Sequence, residues 1–210
     1  MSTLFDNTNE GLSATVFSGN AAYAIAFWAY PTSFNGDNHI VSISDGTDGN
    51  FDWLGIYTGA NRYYLATIGG PSYSEQTGGS PATNTWQHIA VVRESTTALR
   101  LYINGSLITS NTTNIGSRSG ITTFRIGSFN TTYYFSGRVF GLKLWNASLT
   151  ADQVKNEVRS IAPIKKTNLY SWYPLIPSMP RTTDFSGRGI TLSAGGTLSD
   201  ADNPSIAWLK

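Results

Sequence analysis

Short apolar runs separated by turn residues occur along the whole chain. They lie at 23–31, 39–46, 53–70, 86–94, 97–110, 122–128, 134–146 and 168–175. Polar and apolar residues that alternate over such lengths predict β-strands, and the Gly, Asn, Asp and Ser clusters between them predict turns. Their order and spacing predict an all-β fold, a two-sheet antiparallel jelly-roll sandwich.

One dipeptide predicts a hairpin. Asn104 and Gly105 stand between the apolar residues Ile103 and Leu107. Both turn residues tolerate positive φ, so a type I′ turn is expected here.

One short surface helix is predicted near residues 150–159. Thr150 can cap its first turn, and Gln153 stands where it completes a capping box. A narrow apolar stripe that includes Val154 predicts that the helix lies against a sheet and leaves its charged residues, Glu157 among them, in solvent.

No linker divides the chain, and residues 1–210 are expected to form a single domain. Residues 161–210 are Pro-rich and irregular, and by composition they resemble a tail. They contain Trp172, Tyr173 and Trp208, whose rings are costly to leave in water. We therefore expect this C-terminal segment to pack back on the sandwich.

Neutral polar residues must cover most of the surface, because 13% of the residues are charged, against roughly 25% in soluble proteins. A net charge of +1 without a lysine-rich run offers nothing to a phosphate backbone or an anionic membrane. Neither nucleic acid nor membrane is expected as a partner.

The chain has no cysteine, which excludes disulfides, thiolate nucleophiles and Cys-ligated zinc. Its first residues show no signal peptide, and no apolar stretch reaches the length of a membrane helix.

Five motifs follow one another in an order typical of one family. They are NTWQHIAVV at 84–92, LRLYINGSL at 99–107, FRIGS at 124–128, FSGRVFGLKLWN at 135–146 and LTADQV at 149–154. In these motifs the chain resembles the laminin G-like, concanavalin A-like lectin/glucanase jelly-roll family, as a single-domain, phage-type member. The resemblance implies two antiparallel sheets with loops at the rim, where some members hold a glycan or calcium.

One motif departs from the family order. The family usually carries a D-x-S-G segment ahead of its first strand, whereas here DFSGRGITL occupies 184–192. With its flanking residues it resembles the closing segment of members found in phage genomes. We hypothesise that the C-terminal segment supplies the strand that is usually N-terminal, which is feasible where termini lie close together.

The sequence lacks the catalytic pair of the glucanases in this superfamily. Their retaining chemistry needs two carboxylates about 5 to 5.5 Å apart, supplied by E-x-D-x-x-E on one strand. None of Glu10, Glu75, Glu94 and Glu157 is followed by an acid two positions on. Acyl transfer through a thiol or seryl nucleophile is not expected either, because the sequence has no cysteine and no G-x-S-x-G elbow. The chain is therefore not expected to be an enzyme, and a glycoside hydrolase-like activity is the weakest of the alternatives.

The densest acidic cluster is SDGTDGNFDW at 44–53. Asp45, Asp48 and Asp52 could offer carboxylates to calcium, which takes six to eight oxygen ligands. The cluster lacks EF-hand spacing, and a hairpin turn explains the same residues. No cofactor is required, and calcium at these three aspartates remains an alternative.

Tyrosines are concentrated in two places. Alternation along a strand sends neighbours to opposite faces, so one of each adjacent pair is expected in the core and the other exposed. An exposed Tyr can stack on a sugar or anchor an interface, and simple packing is the alternative. The candidates for a glycan or interface site are Tyr63, Tyr64, Tyr73, Asn130, Tyr133 and Tyr134.

His88 is expected to be structural. Alternation along WQHIAVV places it on one face with Trp86 and Ala90, and places Ile89 on the other. Apolar residues on both faces indicate an interior strand of a two-layer sandwich. A neutral imidazole there needs partners for its nitrogens, which neighbouring backbone or hydroxyls could supply.

Two functions of different class follow. The first is a non-catalytic structural protein of a phage virion, a capsid decoration or a head or tail fibre subunit, with glycan adhesion as an added role. The second is a carbohydrate-binding lectin or adhesin module. The expected partners are other virion proteins, glycans, and copies of the chain in a homo-oligomer or array. The expected location is the virion surface, after synthesis in the host cytoplasm.

Overall fold

Two antiparallel sheets and one helix make up the part of the chain that the computed structural model describes. That part covers residues 2–6, 8–16, 22–34, 38–47, 49–57, 59, 61–69, 72–113, 115, 120–129 and 133–201. The eight-stranded sheet contains β1 (Ser2–Asp6), β3 (Tyr23–Pro31), β8 (Gln87–Glu94), β9 (Ala98–Ile103), β10 (Ser106–Asn111), β12 (Ser136–Trp145), β13 (Leu169–Tyr173) and β15 (Ser199–Ala201). The seven-stranded sheet contains β2 (Gly11–Thr15), β4 (Asn38–Ser44), β5 (Asn50–Tyr57), β6 (Arg62–Gly69), β7 (Ser72–Gly78), β11 (Thr123–Ile126) and β14 (Ser193–Gly195), and the helix is α1 (Ala151–Glu157). The predicted all-β sandwich with one short helix is confirmed.

Strand pairing brings the two ends of the described chain together. The eight-stranded sheet has the order β10-β9-β8-β3-β12-β1-β15, with β13 also paired to β12. The seven-stranded sheet has the order β14-β2-β11-β4-β5-β6-β7. Thus β15 extends the edge beside β1, and β14 extends the edge beside β2.

The predicted hairpin joins β9 and β10. Ser106 pairs with Ile103, and the two residues between them have positive φ, 51° at Asn104 and 81° at Gly105. Both angles fit the type I′ turn that the dipeptide predicts.

A buried ion pair ties the two sheets together. Arg93 on β8 donates from Nη1 to both carboxylate oxygens of Asp52 on β5, at 2.9 and 3.1 Å, and from Nη2 to the carbonyl of Ile115 at 2.7 Å. The hydroxyls of Tyr23 and Thr67 also donate to the Asp52 carboxylate. The Arg93 and Asp52 side chains are 2% and 1% exposed, so this polar group lies inside an otherwise apolar core and every oxygen of the carboxylate is used.

The helix α1 covers the outer face of the eight-stranded sheet. Its capping box between Thr150 and Gln153 is present as predicted. The helix packs through Val154 on a floor of small residues such as Ala26 and Ala90, whose size lets the helix approach closely. Within the described residues, no helix is long and apolar enough to cross a bilayer.

The prediction that Glu157 faces solvent is wrong. Its side chain is fully buried and accepts from Lys143 Nζ on β12 at 2.7 Å. The same carboxylate accepts from the backbone N–H groups of Ile164 and Lys165. Sequence spacing along α1 does not reveal this role, because the partner lysine comes from a strand beneath the helix.

Removal of one partner of the inter-sheet ion pair should strongly destabilise the fold. We expect Asp52→Ala to lower the free energy of unfolding by about 3–5 kcal/mol, because Arg93 is left as an uncompensated buried charge. Urea denaturation followed by circular dichroism measures the change.

The control is Glu94→Gln, which removes the exposed partner of Arg100. Exposed pairs contribute about 0–1 kcal/mol. Equal losses in the two variants would contradict the structural role of the Asp52 pair.

Candidate functional site

The outer face of the seven-stranded sheet carries a continuous row of side chains. The strand register sets opposite one another, in this order, Ser13, Arg125, Ser42, Trp53, Ala66 and Glu75. Their neighbours along the strands, such as Leu54 and Leu65, lie in the core between the sheets. Because side chains alternate along a strand, this row points away from the core.

Six aromatic rings gather around the middle of this row. We call them the aromatic face, which consists of His39, Phe51, Trp53, Tyr64, Phe129 and Tyr133. The Phe51 and Trp53 rings are nearly parallel, with centroids 3.9 Å apart. His39 meets Trp53 edge-on at 4.4 Å, and the Tyr133 ring stacks on His39 at 4.9 Å. These contacts form a small apolar cluster that is separate from the main core.

Two local features let the rings assemble. The pairing of β4 with β5 shifts between His39 and Val41, so both Ile40 and Val41 pack in the core and His39 faces outward. Opposite Tyr64 stands Gly55, where an added Cβ would lie 2.4 Å from the Tyr64 ring. Glycine is therefore required at 55 for this ring to lie across β5.

The polar atoms of the aromatic face are incompletely paired. Nδ1 of His39 and Nε1 of Trp53 are buried, and neither has a hydrogen-bond partner among the described residues. Burial lowers the pKa of His39 to about 3, so its ring is neutral at pH 7. An unsatisfied buried polar group costs about 1–3 kcal/mol.

Two half-exposed tyrosines lie at the surface of the aromatic face. Tyr133, a member of the face, is 48% exposed above His39, which is 2% exposed, and Tyr57, 50% exposed, meets the Tyr64 ring edge-on. Tyr133 has φ of 55°, in the left-handed region that side chains other than Gly and Asn seldom adopt. Such conformations persist where the surroundings enforce them, often at ligand sites. Here the backbone conformation accompanies the stacking of the ring on His39.

A shallow cleft adjoins the aromatic face on the side of β2 and β11. It has a volume of about 220 Å³, and its lining includes Arg125, Tyr134, Ser13 and Ser128. Arg125 is separated from Trp53 by Ser42 alone, which corresponds to two strand spacings, or roughly 10 Å. A single extended ligand can therefore reach both the Trp53 ring and the polar groups of this cleft.

The structure separates the predicted tyrosines. Tyr64 and Tyr133 come together at the aromatic face, and Tyr134 lines the adjoining cleft. Tyr73 is exposed on the edge strand β7, where its hydroxyl donates to Glu75. Tyr63 faces the core and donates to Gln87 Oε1 at 2.6 Å.

For Tyr63 and Tyr64 the two side chains point to opposite faces as expected, but neither is exposed. Tyr64 faces outward as expected, yet it is 4% exposed because neighbouring rings cover it. Asn130 lies outside the described residues.

Sequence reasoning missed His39, Phe51, Trp53, Phe129 and Arg125. For Phe51 and Trp53 a signal was available, since alternation along β5 separates them from Leu54 and Ile56. The outward position of His39 depends on a bulge, which the sequence does not reveal.

The two described aspartates of the 44–53 stretch, Asp45 and Asp52, point to different places. Asp45 accepts from the Thr47 N–H at 2.8 Å and from Asn50 Nδ2 at 2.9 Å, as turn residues do. Asp52 faces the core and is held by Arg93, and Asp48 lies outside the described residues. Among the described residues, no group of three or more His, Cys, Asp or Glu side chains could hold a metal ion. The two described aspartates therefore do not fit a shared calcium site.

His88 lies on the interior strand β8, on the outer face of the eight-stranded sheet. It is 1% exposed and meets the Trp28 ring edge-on at 5.3 Å. Burial and the nearby Lys143 charge lower its pKa to about 3. The expected hydrogen-bond partners are not found, since neither ring nitrogen has one among the described residues.

Comparison with protein families gives one match that covers most of the chain. The model described as the concanavalin A-like lectin/glucanases superfamily matches residues 6–155. A search of curated proteins found no significant match.

Solved structures with the same fold share little sequence with this chain. A candidate carbohydrate-binding protein from Bacteroides ovatus ATCC 8483 is 20% identical with a TM-score of 0.67; the match covers 97% of this chain and 61% of that protein. The heptameric SAP-like pentraxin from Limulus polyphemus is 16% identical with a TM-score of 0.64, covering 94% of this chain and 92% of the pentraxin. The CBM40 of the Ruminococcus gnavus IT-sialidase, bound to α2,3 sialyllactose, is 16% identical with a TM-score of 0.56, covering 74% of this chain and 95% of the CBM40. At these identities the likeness establishes the fold.

Both histidines should stay neutral in the folded protein. Their folded pKa of about 3 lies below the ordinary 6.5, so between these values the unfolded chain binds more protons and stability rises with pH. We expect the urea midpoint to fall as pH drops from about 7 to about 4.5, and His39→Phe to reduce that fall. Imidazole titration by NMR provides the direct measurement, and a ring that titrates near 6.5 in the folded protein would contradict the burial of that histidine.

Proposed function

Because this chain belongs to the concanavalin A-like lectin/glucanase superfamily, we propose that it is a carbohydrate-binding module that holds a glycan on the aromatic face of its seven-stranded sheet. One observation carries the proposal: half-exposed Tyr133 and partly exposed Trp53 present their rings on either side of His39 at the surface of this sheet. An aromatic surface with a few placed polar groups is what small-molecule sites offer.

The chemistry of the face suits a sugar ring. The apolar C–H side of a pyranose can pack against the Trp53 and Tyr133 rings, while its hydroxyls find polar partners. His39, being neutral, can accept from or donate to a hydroxyl. Arg125 and Ser13 in the adjoining cleft supply further polar groups to a second sugar unit.

Two structural relatives support a glycan as the ligand. The Ruminococcus CBM40 binds α2,3 sialyllactose, and domain 4 of the Geobacillus arabinanase AbnA binds arabinotriose. We propose that this chain likewise binds without cleaving its ligand. Along the row across the face Glu75 is the single carboxylate, and retaining hydrolysis needs two, about 5 to 5.5 Å apart.

The proposed setting of this module is the surface of a phage virion, as a capsid decoration or fibre subunit. The support is the resemblance of 184–192 to the closing segment of phage members, together with the pairing of β14 and β15 beside β2 and β1.

Virion proteins act in symmetric arrays, so a stable homo-oligomer is expected by light scattering. A monomer at every concentration would count against the virion role and leave glycan binding untouched.

Removal of an aromatic ring from the face should weaken glycan binding. With a neutral oligosaccharide chosen from a glycan array, we expect Trp53→Ala and Tyr133→Ala each to weaken binding at least tenfold, or about 1.4 kcal/mol, by calorimetry. Tyr133 is exposed, so its variant should fold normally.

The matched control is Phe185→Ala, which removes an exposed ring outside the aromatic face and should leave binding of the neutral glycan unchanged. An array on which nothing binds, or a glycan whose affinity survives both face variants, would overturn the proposal.

Glycan binding should also be independent of calcium, because Asp45 and Asp52 do not converge. The array result is expected to be the same with calcium and with excess EDTA. Loss of binding in EDTA would show that calcium ligands come from elsewhere in the chain.

A further inference from the structure

A second cleft lies beside β13, in a part of the chain beyond the family match at 6–155. Its volume is about 430 Å³, within the range of small-molecule sites. Its lining includes Lys166, Leu169, Trp172, Phe185, Ser186 and Arg188. The residues after 160 that close the sandwich thus also form a cavity of their own.

The apolar part of this C-terminal cleft centres on Trp172. Trp172 pairs with Lys143 across β12 and β13, so its ring lies on the outer face of the eight-stranded sheet. The Phe185 ring meets it edge-on at 5.9 Å. Nε1 of Trp172 is buried and has no hydrogen-bond partner among the described residues.

The loop that carries Phe185 and Arg188 is held in place by one carboxylate. Asp184 accepts from the N–H groups of Trp172 at 3.0 Å and Ser186 at 2.8 Å, and from the Ser186 hydroxyl at 2.8 Å. Burial raises the pKa of Asp184, but these hydrogen bonds outweigh it and hold the pKa below its ordinary value. Asp184 is therefore an ionised structural group, and the cleft is formed before any ligand arrives.

The charged groups that line the cleft are cationic. Arg188 Nε donates to the Leu169 carbonyl at 3.0 Å, and its guanidinium lies 6.0 Å from the centre of the Tyr170 ring. These contacts fix the side chain and leave its terminal nitrogens without a partner among the described residues. Neither Arg188 nor Lys166 forms an ion pair within the described part of the chain.

We propose that the C-terminal cleft binds an acidic sugar unit. The sugar ring packs against Trp172 and Phe185, and its carboxylate or sulfate is held by Arg188 and Lys166. The choice of a sugar over another anionic ring rests on the proposed function, whereas the cleft and its charge do not.

Matched acidic and neutral oligosaccharides test this proposal. The probes end in glucuronic acid, sialic acid or a sulfated sugar, each beside a neutral counterpart, and binding to the full chain is measured by calorimetry. We expect at least one acidic probe to bind at least tenfold more tightly than its counterpart. Its affinity should fall as salt rises, because exposed charges are screened.

Variants assign the binding to this cleft. Arg188→Gln combined with Lys166→Gln should remove the preference for the acidic probe, and Phe185→Ala should weaken its binding at least tenfold. Arg188 and Lys166 are exposed, so these variants should keep the fold. Tyr133→Ala, on the other sheet, is the control and should leave acidic binding unchanged.

The proposal is overturned if no acidic probe is preferred, or if the preference survives loss of both cations. It is also overturned if Tyr133→Ala abolishes acidic binding, since the acidic sugar would then occupy the aromatic face. Failure of the proposed function looks different, because neutral glycans would then bind nowhere or independently of Trp53 and Tyr133.

Discussion

The buried ion pair between Arg93 and Asp52 determines which side chains can form the aromatic face. Asp52 must face the core to reach Arg93 on the opposite sheet, so alternation sends its neighbours Phe51 and Trp53 outward. A slip of one residue in β5 would bury Trp53 between the sheets and leave Arg93 as an unpaired buried charge. A polar interaction in the core therefore sets the register that builds the aromatic face.

The two outer faces of the sandwich are covered by different parts of the chain. On the eight-stranded sheet, small residues such as Ala26 and Ala90 admit α1, and the buried pair between Lys143 and Glu157 holds it there. On the seven-stranded sheet the middle is covered by side chains from the 127–135 stretch, such as Phe129 and Tyr133. The Trp53 and Tyr133 rings remain partly exposed there. The helix thus covers part of the first face, whereas partly exposed rings remain on the second.

Features governed by neighbours in sequence could be predicted, and features governed by distant partners could not. The strands between 23 and 69 and between 87 and 173, the turn at Asn104 and the cap at Thr150 follow from local preferences, and the structure confirms them. The strands β1, β2, β7, β14 and β15 lie outside the predicted runs. Glu157 was misplaced because its partner, Lys143, comes from a strand beneath the helix. The aromatic face was only partly foreseen, through Tyr64 and Tyr133, since bringing them together requires a bulge in β4 and a ring from the 127–135 stretch.

The two histidines show that burial and charge state do not decide a residue's role. Both have a pKa of about 3 and are therefore neutral. His88 lies on an interior strand beside Trp28, whereas the half-exposed Tyr133 ring stacks on His39. A neutral imidazole offers no charge to an anion, which is consistent with the proposed binding of a neutral glycan on the aromatic face. Cations lie beside both proposed sites, Arg125 in the cleft that adjoins the aromatic face and Arg188 with Lys166 in the C-terminal cleft. The proposed sites differ in that the aromatic face itself consists of neutral rings, whereas cations belong to the lining of the C-terminal cleft.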